Sequence, residues 1–399
     1  MMNPSPSMTI SDPQDLQAAF ADALAEGRRL RIRGGDSKLS MLGDIDVHGV
    51  LDLSALRGVV AYEPGELVLT VKAGTPLIEV QMLLADRDQM LAFEPQDYAG
   101  VLGAAPGMST IGGVIASGWA GPRRVVAGNV RDHVLGFEAV SARGEFFRAG
   151  GRVIKNVTGY DLPKLLTGSW GTLAALTDIC LRVLPRPACE ATLSVESLDD
   201  AAALGVLRRA LAAPLEVSAA ACLPRDRRAL IRLEGFPQSV AERLRQLQAL
   251  LSGAGDTRVI EDEASSAIWR RVGEVWDFHG DERTLWRLSL PSEAAAQVVA
   301  EFSRNLAVEA IYDWGGSLVW LAVDDAPNHA EQVRRVAQGV GGHAWLFRAA
   351  AGLRAEVATA HPLTAPLQGL SARIKAGFDP KATLPSAPLW PQFRANGAP

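Results

Sequence analysis

The chain has 399 residues, of which 48% are hydrophobic and 21% are charged, with a formal net charge of −5. This length suits roughly two or three globular domains, and the negative charge excludes a global basic field for nucleic acid or anionic lipid. The three cysteines (Cys180, Cys189 and Cys222) lack C-x-x-C spacing, which argues against a disulfide framework, a zinc site or an iron–sulfur cluster held by this chain alone.

The N-terminus has no basic segment followed by an apolar segment, as a secretory signal would. No apolar stretch reaches the roughly 18 residues that a membrane-spanning helix needs. We therefore expect a cytoplasmic protein, peripheral at the inner face of the plasma membrane only through partner subunits.

The first elements predicted are a helix and a strand that runs into a glycine pair. Asp12 or Ser11 caps a helix that ends near Glu26. A short strand over 30–33 then leads directly into Gly34-Gly35-Asp36-Ser37-Lys38. This loop is either an ordinary turn or a nest of backbone N–H groups for an anion. Neither G-x-G-x-x-G nor a Walker motif is present.

A hairpin and a helix follow. Val59–Tyr62 and Leu67–Val71 are β-rich and are joined by a Pro-Gly pair, which predicts a type II turn. Thr75 is the predicted N-cap of a helix that ends near Leu84. Two strands and then a helix favour an α+β domain over a doubly wound sheet.

The segment Ala105–Arg124 is unusually rich in glycine. It predicts a short helix over Ile111–Ser117 whose N-terminus, with free amides and two hydroxyls, suits a pyrophosphate. The alternative is a glycine loop that packs against a neighbouring strand. Arg123 and Arg124 follow, and they form either a solvated turn or a bidentate contact to a substrate carboxylate.

Two paired strands are predicted next, over Val134–Val140 and Glu145–Arg148. The stretch Ile154–Pro185 then predicts a loop, a helix capped by Asp161, a second loop and an apolar strand. Together with the two earlier glycine segments, this stretch is the predicted third wall of a cofactor cleft.

After a proline-rich hinge at Pro185–Cys189, strands alternate with helices. This pattern predicts a compact antiparallel sheet that helices cover on one face, of ferredoxin-like type. Tryptophans are concentrated here, and we expect most of them to be buried. His343, in a G-G-H-A segment, is either a structural residue or a base.

These segments resemble the FAD-binding domain of the vanillyl-alcohol oxidase and p-cresol methylhydroxylase (PCMH) superfamily. The motifs that carry the resemblance are R-G-G-D-S-K (33–38), G-T-P-L (74–77), S-T-I-G-G (109–113), K-N-V-T-G-Y-D-L-P-K-L (155–165) and G-S-W-G-T-L (168–173). Five further motifs resemble the E subunits of bacterial glycolate oxidase, which bind FAD: A-G-P-R-R (120–124), V-R-D-H-V-L-G (130–136), L-P-R-P (184–187), D-W-G-G (313–316) and G-G-H-A (341–344).

The resemblance implies an α+β protein with two domains. Residues 1–188 would form a PCMH-type FAD-binding domain of two α+β subdomains. Residues 189–399 would form a smaller ferredoxin-like α+β cap for substrate or for a subunit interface, with an irregular C-terminal tail. Some relatives bond the flavin to a histidine where this chain has Asp36 and Ser37, so noncovalent FAD is implied.

The resemblance also implies the site residues. Those expected to contact FAD are Gly34, Gly35, Asp36, Ser37, Lys38, Pro106, Gly107, Ser109, Thr110, Ile111, Gly112, Gly113, Ser117, Gly118, Trp119, Ala120, Gly159, Tyr160, Asp161, Ser169, Gly171 and Thr172. The candidate catalytic residues are His343 as a base and Arg123 or Arg124 as a carboxylate clamp. No metal site is expected.

The implied function is that of an FAD-binding subunit of a glycolate (2-hydroxy acid) oxidase complex. Hydride transfer to the flavin would convert glycolate to glyoxylate, and a sister FAD subunit and an iron–sulfur subunit would be partners. Two alternatives stay open. The chain could be a self-sufficient FAD-dependent oxidase of another alcohol or sugar lactone, or a non-catalytic flavin-bearing scaffold or electron relay.

Overall fold

The computed structural model describes residues 5–43, 45–151, 160–324 and 329–386. The first unit runs to Pro185. Its strands are β1 (Ser7–Thr9), β2 (Leu30–Arg33), β3 (Gly49–Asp52), β4 (Val59–Glu63), β5 (Val68–Lys72), β6 (Gln89–Met90), β7 (Val134–Ser141), β8 (Phe146–Gly150), β9 (Ala174–Arg182) and β10 (Leu184–Pro185). Its helices are α1 (Pro13–Glu26), α2 (Leu77–Ala85), α3 (Ala99–Leu102), α4 (Ile111–Ser117), α5 (Arg124–Ala127) and α6 (Leu162–Leu166).

The first unit contains two α+β subdomains, as predicted. In one, β1 and β2 pair in parallel with β3, and α1 buries Leu16 and Phe20 in the same core as Leu51. In the other, the antiparallel order is β4-β5-β9-β7-β8, and α2 and α4 pack on its core. The predicted pairing of β7 with β8 is confirmed, and Asp12 caps α1 by accepting from two backbone N–H groups.

Two local predictions in this unit are wrong. The Pro-Gly pair forms a 3₁₀ turn over Pro64–Glu66, and Leu67 then takes a left-handed conformation with φ of 58°, so the turn is not type II. Thr75 does not cap α2, because its hydroxyl donates to the Lys72 carbonyl at 2.7 Å. Pro76 is the N-cap residue instead.

The second unit is the cap. Its strands are β11 (Cys189–Val195), β12 (Ala219–Leu223), β13 (Arg228–Gly235), β14 (Thr257–Glu261), β15 (Thr284–Ser289), β16 (Val308–Asp313), β17 (Leu318–Val323) and β18 (His343–Arg348). The helices that follow β11 are α7 (Asp200–Ala212), α8 (Pro237–Leu250), α9 (Asp262–Gly273), α10 (Ala295–Ser303), α11 (His329–Gly339), α12 (Ala351–Glu356) and α13 (Ala365–Phe378).

The cap sheet consists of two ferredoxin-like units side by side. Its order is β14-β11-β13-β12-β16-β17-β15-β18, and each half has the chain order strand, helix, strand, strand, helix, strand. The halves meet where β12 pairs with β16 at Cys222 and Tyr312. The ferredoxin-like prediction therefore describes each half, whereas β14, α9 and β18 were not predicted.

The two faces of this sheet have different partners. Four helices, α7, α8, α10 and α11, pack on one face around buried residues such as Leu204 and Trp286. On the other face, Trp320 and Phe347 share a core with Tyr98 and Trp119 of the first unit. Side chains of adjacent residues in a strand point to opposite faces, so this second face is the inner surface of the cap.

The C-terminal residues return to the first unit. The Lys375 ammonium donates to the Thr172 carbonyl at 2.6 Å, to the Asp379 carboxylate at 2.6 Å and to the Leu384 carbonyl at 3.1 Å. Leu384 lies in the core of α1 and the three-stranded sheet. The predicted boundary at 188/189 thus falls between β10 and β11, and the end of the described chain packs on the opposite side of that boundary.

Candidate functional site

The loop after β2 and the loop before α4 are in direct contact. A Cβ atom at Gly35 would overlap the carbonyl oxygen of Met108, so only glycine permits this approach. The Ser109 hydroxyl donates to the Ser37 hydroxyl at 3.2 Å. Two of the predicted cofactor segments are therefore one continuous surface.

The first loop has the backbone geometry of an anion nest. Within the described residues, none of the backbone N–H groups of Gly35, Asp36, Ser37 and Lys38 has an acceptor. Asp36 has a left-handed φ of 53°, and its carboxylate is held by Arg31 at 2.6 and 3.1 Å. Successive unpaired amides in such a turn bind phosphate oxygens.

Lys38 adds a charge to this nest. No hydrogen bond or ion pair to its ammonium exists among the residues that the structure describes. Burial lowers the pKa of Lys38 to about 8, and the carboxylate of Asp97 opposes that shift. An anion bound beside Lys38 would restore the ammonium charge.

The prediction for the N-terminus of α4 is half right. The Thr110 hydroxyl caps the helix by accepting from the Gly113 amide at 3.2 Å. The amides are not free, however, because Ile111 donates to the Thr75 carbonyl at 2.9 Å and Gly112 to the Ala73 carbonyl at 2.7 Å. The first amides of α4 are thus occupied, whereas those of the Gly35–Lys38 loop have no acceptor among the described residues.

The third predicted wall joins α4 through its backbone. Gly168 donates to the Ile115 carbonyl at 3.0 Å, and Trp170 donates to the Ala116 carbonyl at 2.9 Å. These contacts close a cavity between the two sheets of the first unit, and its lining residues are Ile32, Gly34, Leu53, Ala73, Thr110, Gly112, Gly113, Ala116, Ser169, Trp170, Gly171, Ala174 and Leu176.

Three other predicted residues, Tyr160, Asp161 and Gly107, do not line this cavity. A fourth, Gly159, is outside the described residues. Tyr160 is 93% exposed, and Asp161 caps α6 and pairs with Lys164 at 2.7 Å. The amide of exposed Gly107, next to Pro106, donates to Asp97 at 2.8 Å.

The segment after α4 leads from the cavity to the cap. The Ser117 hydroxyl donates to the Gly113 carbonyl at 2.9 Å, and Gly118, Trp119 and buried Ala120 follow. The Trp119 ring lies 5.1 Å from the Trp170 ring and 6.1 Å from the Trp345 ring of β18. Aromatic side chains therefore connect the cavity wall to the inner face of the cap.

Arg123 belongs to an ionic network between the two units. Its guanidinium pairs with Glu234 of the cap, and its backbone amide donates to Glu94 at 2.7 Å. Arg232, which is 2% exposed, binds both carboxylate oxygens of Glu94 at 2.8 and 3.0 Å. Burial lowers the pKa of Arg232, but Glu94 and Glu234 outweigh it and raise the pKa overall.

Arg124 brings together two distant motifs. Its guanidinium lies 4.2 Å from the centre of the Trp314 ring, and the Trp314 indole donates to the Gly121 carbonyl at 3.0 Å. The A-G-P-R-R and D-W-G-G segments are therefore in direct contact across the two units. Arg124 and Trp314 also line a surface depression with Asn129 and Arg131.

His343 begins β18 on the inner face of the cap, two residues before Trp345. Its ring lies 6.2 Å from that of His361. Burial and, to a smaller extent, the charge of Arg287 lower the pKa of His343, which favours a neutral imidazole. Among the described residues, no hydrogen bond or ring contact joins His343 to Arg123 or Arg124.

Four buried or half-buried charged residues where the cap meets the first unit were not predicted from the sequence. Glu94, Arg232, Glu234 and Arg287 were not singled out, although Arg232 and Arg287 each follow an apolar run inside a predicted strand. An arginine at an inward position of a buried strand is rare unless it has a partner, and this was the available signal.

In the described part of the chain, no helix is long and apolar enough to cross a membrane.

The fold and the glycine-lined cavity define the class of protein. Two α+β subdomains enclose the cavity, an anion nest with an uncompensated lysine adjoins it, and a two-part sheet covers the unit. A family model described as the FAD binding domain matches residues 6–150. The protein is an FAD-dependent oxidoreductase with a PCMH-type FAD-binding domain.

Comparison of the whole chain identifies the family. The glycolate oxidase subunit GlcE of Escherichia coli (strain K12) is 37% identical over 369 residues, which cover 92% of this chain and 94% of that protein. The chain therefore belongs to the GlcE family.

Two further proteins are similar over different lengths. The glycolate oxidase subunit GlcD of Bacillus subtilis (strain 168) is 34% identical over 155 residues, 38% of this chain and 31% of that one. A solved structure of alkyldihydroxyacetonephosphate synthase has a TM-score of 0.68 at 14% identity and covers 94% of this chain and 76% of that chain. The last likeness concerns the fold alone.

Proposed function

We propose that this chain is the FAD-binding subunit of a glycolate oxidase complex that oxidises glycolate to glyoxylate. The observation that carries the proposal is the meeting of three glycine segments at one cavity beside an anion nest, in a chain that matches GlcE along nearly its whole length. When bound, the flavin accepts the hydride that leaves the substrate carbon.

The residues of this chain would bind and orient that cofactor. The Gly35–Lys38 amides and the Lys38 ammonium suit the pyrophosphate. Gly112, Gly113 and Gly171 line the cavity without side chains, which suits a large flat group. The inner face of the cap would exclude water from the reacting carbon.

We propose His343 as the base that takes the hydroxyl proton of the substrate. Its lowered pKa supports this role, because a base must be unprotonated at working pH. His343 lies on the same face of β18 as Trp345, and the Trp345 ring stacks 6.1 Å from that of Trp170, which lines the cavity.

The partners proposed are a sister FAD subunit and an iron–sulfur subunit that carries electrons away. The similarity of part of this chain to a protein named as another glycolate oxidase subunit supports a complex of two related chains. Any membrane would be reached through those partners.

The test is purification of the chain alone and with candidate partner subunits, followed by measurement of flavin content and glycolate-dependent dye reduction. Gly35→Ala should lose flavin, because its Cβ would overlap the Met108 carbonyl. Gly65→Ala, which has open space around it, is the matched control. A wild-type preparation without flavin would overturn the proposal.

The same measurement separates the alternatives. Turnover by the chain alone, with oxygen as acceptor, would identify a self-sufficient oxidase. Full glycolate turnover by the partner subunits without this chain would identify a scaffold or an electron relay.

A further inference from the structure

Arg287 differs from the other buried arginines of the part of the chain that the structure describes. Arg123 and Arg232 pair with glutamates, and Arg354 donates to backbone carbonyls at 2.8 and 3.0 Å. Arg287 is 8% exposed and forms no ion pair or hydrogen bond with any described residue, and its Nε atom is fully buried without an acceptor.

Three tryptophan rings lie against this guanidinium. Its centre lies 5.6 Å from the Trp119 ring, 5.2 Å from the Trp314 ring and 5.8 Å from the Trp320 ring. Such contacts attract a cation by about 0.5–2 kcal/mol, less than the several kcal/mol that desolvation of an ion costs. Burial lowers the pKa of Arg287 to about 10, so it is still charged at neutral pH.

The position of Arg287 relates it to the proposed site. On β15 it lies opposite Trp345 of β18, and Ser289 lies opposite His343. Arg287, Trp345 and His343 therefore point to the same, inner face of the cap. The Trp345 ring contacts Trp119 and Trp170, so the guanidinium lies where the cap meets the cavity wall.

The nearby carboxylate of Asp313 does not neutralise the charge of Arg287. Asp313 influences it electrostatically but accepts from the Trp314 amide at 2.7 Å. Burial raises the pKa of Asp313 to about 7, so much of it is neutral at physiological pH. No carboxylate among the described residues therefore neutralises Arg287, and a bound anion would do so.

We propose that Arg287 binds the carboxylate of the small 2-hydroxy acid substrate. The planar guanidinium fork matches a carboxylate in two parallel hydrogen bonds, and the full negative charge compensates the buried cation. The resting flavin ring is uncharged and would not. Arg123 is not available for this role, because Glu234 already holds it. The identity of the acid rests on the proposed function.

The test compares two substrates in the flavin-loaded complex: glycolate, and glycolamide, in which a neutral amide replaces the carboxylate. Arg287→Met should raise the KM for glycolate about 100-fold and the KM for glycolamide much less, because a neutral amide makes a weaker hydrogen bond to the guanidinium. The flavin content should stay unchanged. Arg287→Lys should be intermediate, since it keeps the charge without the fork. Arg245→Met, which breaks an exposed pair with Glu242, is the control.

Three results would overturn the inference: an unchanged KM for glycolate, an equal loss for both substrates, or loss of flavin alone. If the wild-type complex lacks flavin or glycolate turnover, the proposed function fails, and titration of the full chain with oxalate still tests Arg287. Binding to wild type at least about ten times tighter than to Arg287→Met would support the inference. Equal or absent binding would overturn it.

Discussion

The contact between the cap and the first unit has two dissimilar regions, each centred on an arginine of the same sheet face. Arg232 is 2% exposed and Arg287 is 8% exposed. Arg232 holds both oxygens of Glu94 across the boundary between the units. Arg287 lies against three indole rings and has no ion pair among the described residues.

The difference separates a docking contact from a binding site. A buried cation with a bidentate partner from the other unit fixes how the two units sit together, at little net electrostatic cost. A buried cation without a partner weakens the folded state until an anion arrives, and such groups are concentrated at functional sites. The two regions should therefore respond oppositely to the same substitution.

The largest effect should come from Arg232→Met. It would leave Glu94 without its bidentate cation at the boundary, so we expect the free energy of unfolding to fall by about 3–5 kcal/mol. Denaturant unfolding of purified protein measures this. Arg245→Met, at an exposed pair, should change it by less than about 0.5 kcal/mol, and similar values for both variants would remove the distinction.

Asp313 lies between the two regions, and it should make stability depend on pH. Its folded pKa of about 7 exceeds the ordinary 3.8, so the stability that its proton provides is full below about 3.8 and is lost as pH rises through about 7. The loss should reach a few kcal/mol, because each tenfold difference in proton affinity between the folded and unfolded states is worth about 1.4 kcal/mol.

Asp313→Asn should remove most of that pH dependence and keep the acceptor for the Trp314 amide. The measurement is the free energy of unfolding at about pH 5 and about pH 8 for both proteins. Parallel pH profiles would mean that Asp313 ionises like an exposed carboxyl.

Lys38 extends the comparison to a second uncompensated cation, at the anion nest. If the FAD pyrophosphate is its partner, FAD binding above about pH 8 requires proton uptake by Lys38. Affinity should then fall by up to about tenfold per pH unit in that range. Fluorescence titration of the flavin-free chain tests this, with Lys38→Met expected to bind more weakly and without that pH dependence, and Lys381→Met as the control.

The smallest effect should be that of Arg287→Met on stability. The informative result is whether this variant is more or less stable than the wild type. Removal of an uncompensated buried charge should raise the free energy of unfolding of the substrate-free protein by about 1 kcal/mol. Denaturant unfolding of the Arg287→Met and Arg232→Met variants side by side measures this change in the free energy of unfolding. A loss as large as that of Arg232→Met would show a structural cation and erase the contrast between the regions.

Local chemistry allowed much of the first unit to be predicted. Asp12 and Asp161 were recognised as helix caps because short polar side chains satisfy N-terminal amides. The helices and strands around the glycine segments followed from apolar periodicity. The Thr75 prediction failed because the Thr75 hydroxyl donates to the Lys72 carbonyl and accepts from the Gly58 amide, a tertiary partner.

The prediction of free amides at the N-terminus of α4 failed for the same reason. A capped helix that begins with glycines has free N–H groups when it is considered alone. In the folded unit, the strand end at Ala73 and the loop at Thr75 supply carbonyls at 2.7 and 2.9 Å. Which glycine segment provides donors to a ligand is therefore a property of the packing.

The order of residues was enough to determine most of the elements, the glycine segments that allow close backbone approach, and the family, since these depend on local sterics and on motif spacing. Which arginines have counterions was settled only in the folded chain. Ion pairs such as Arg232 with Glu94 join residues 138 positions apart, and no local pattern encodes that pairing. The same packing pairs Arg287 with no carboxylate of the described residues, and this makes it the candidate for binding the substrate.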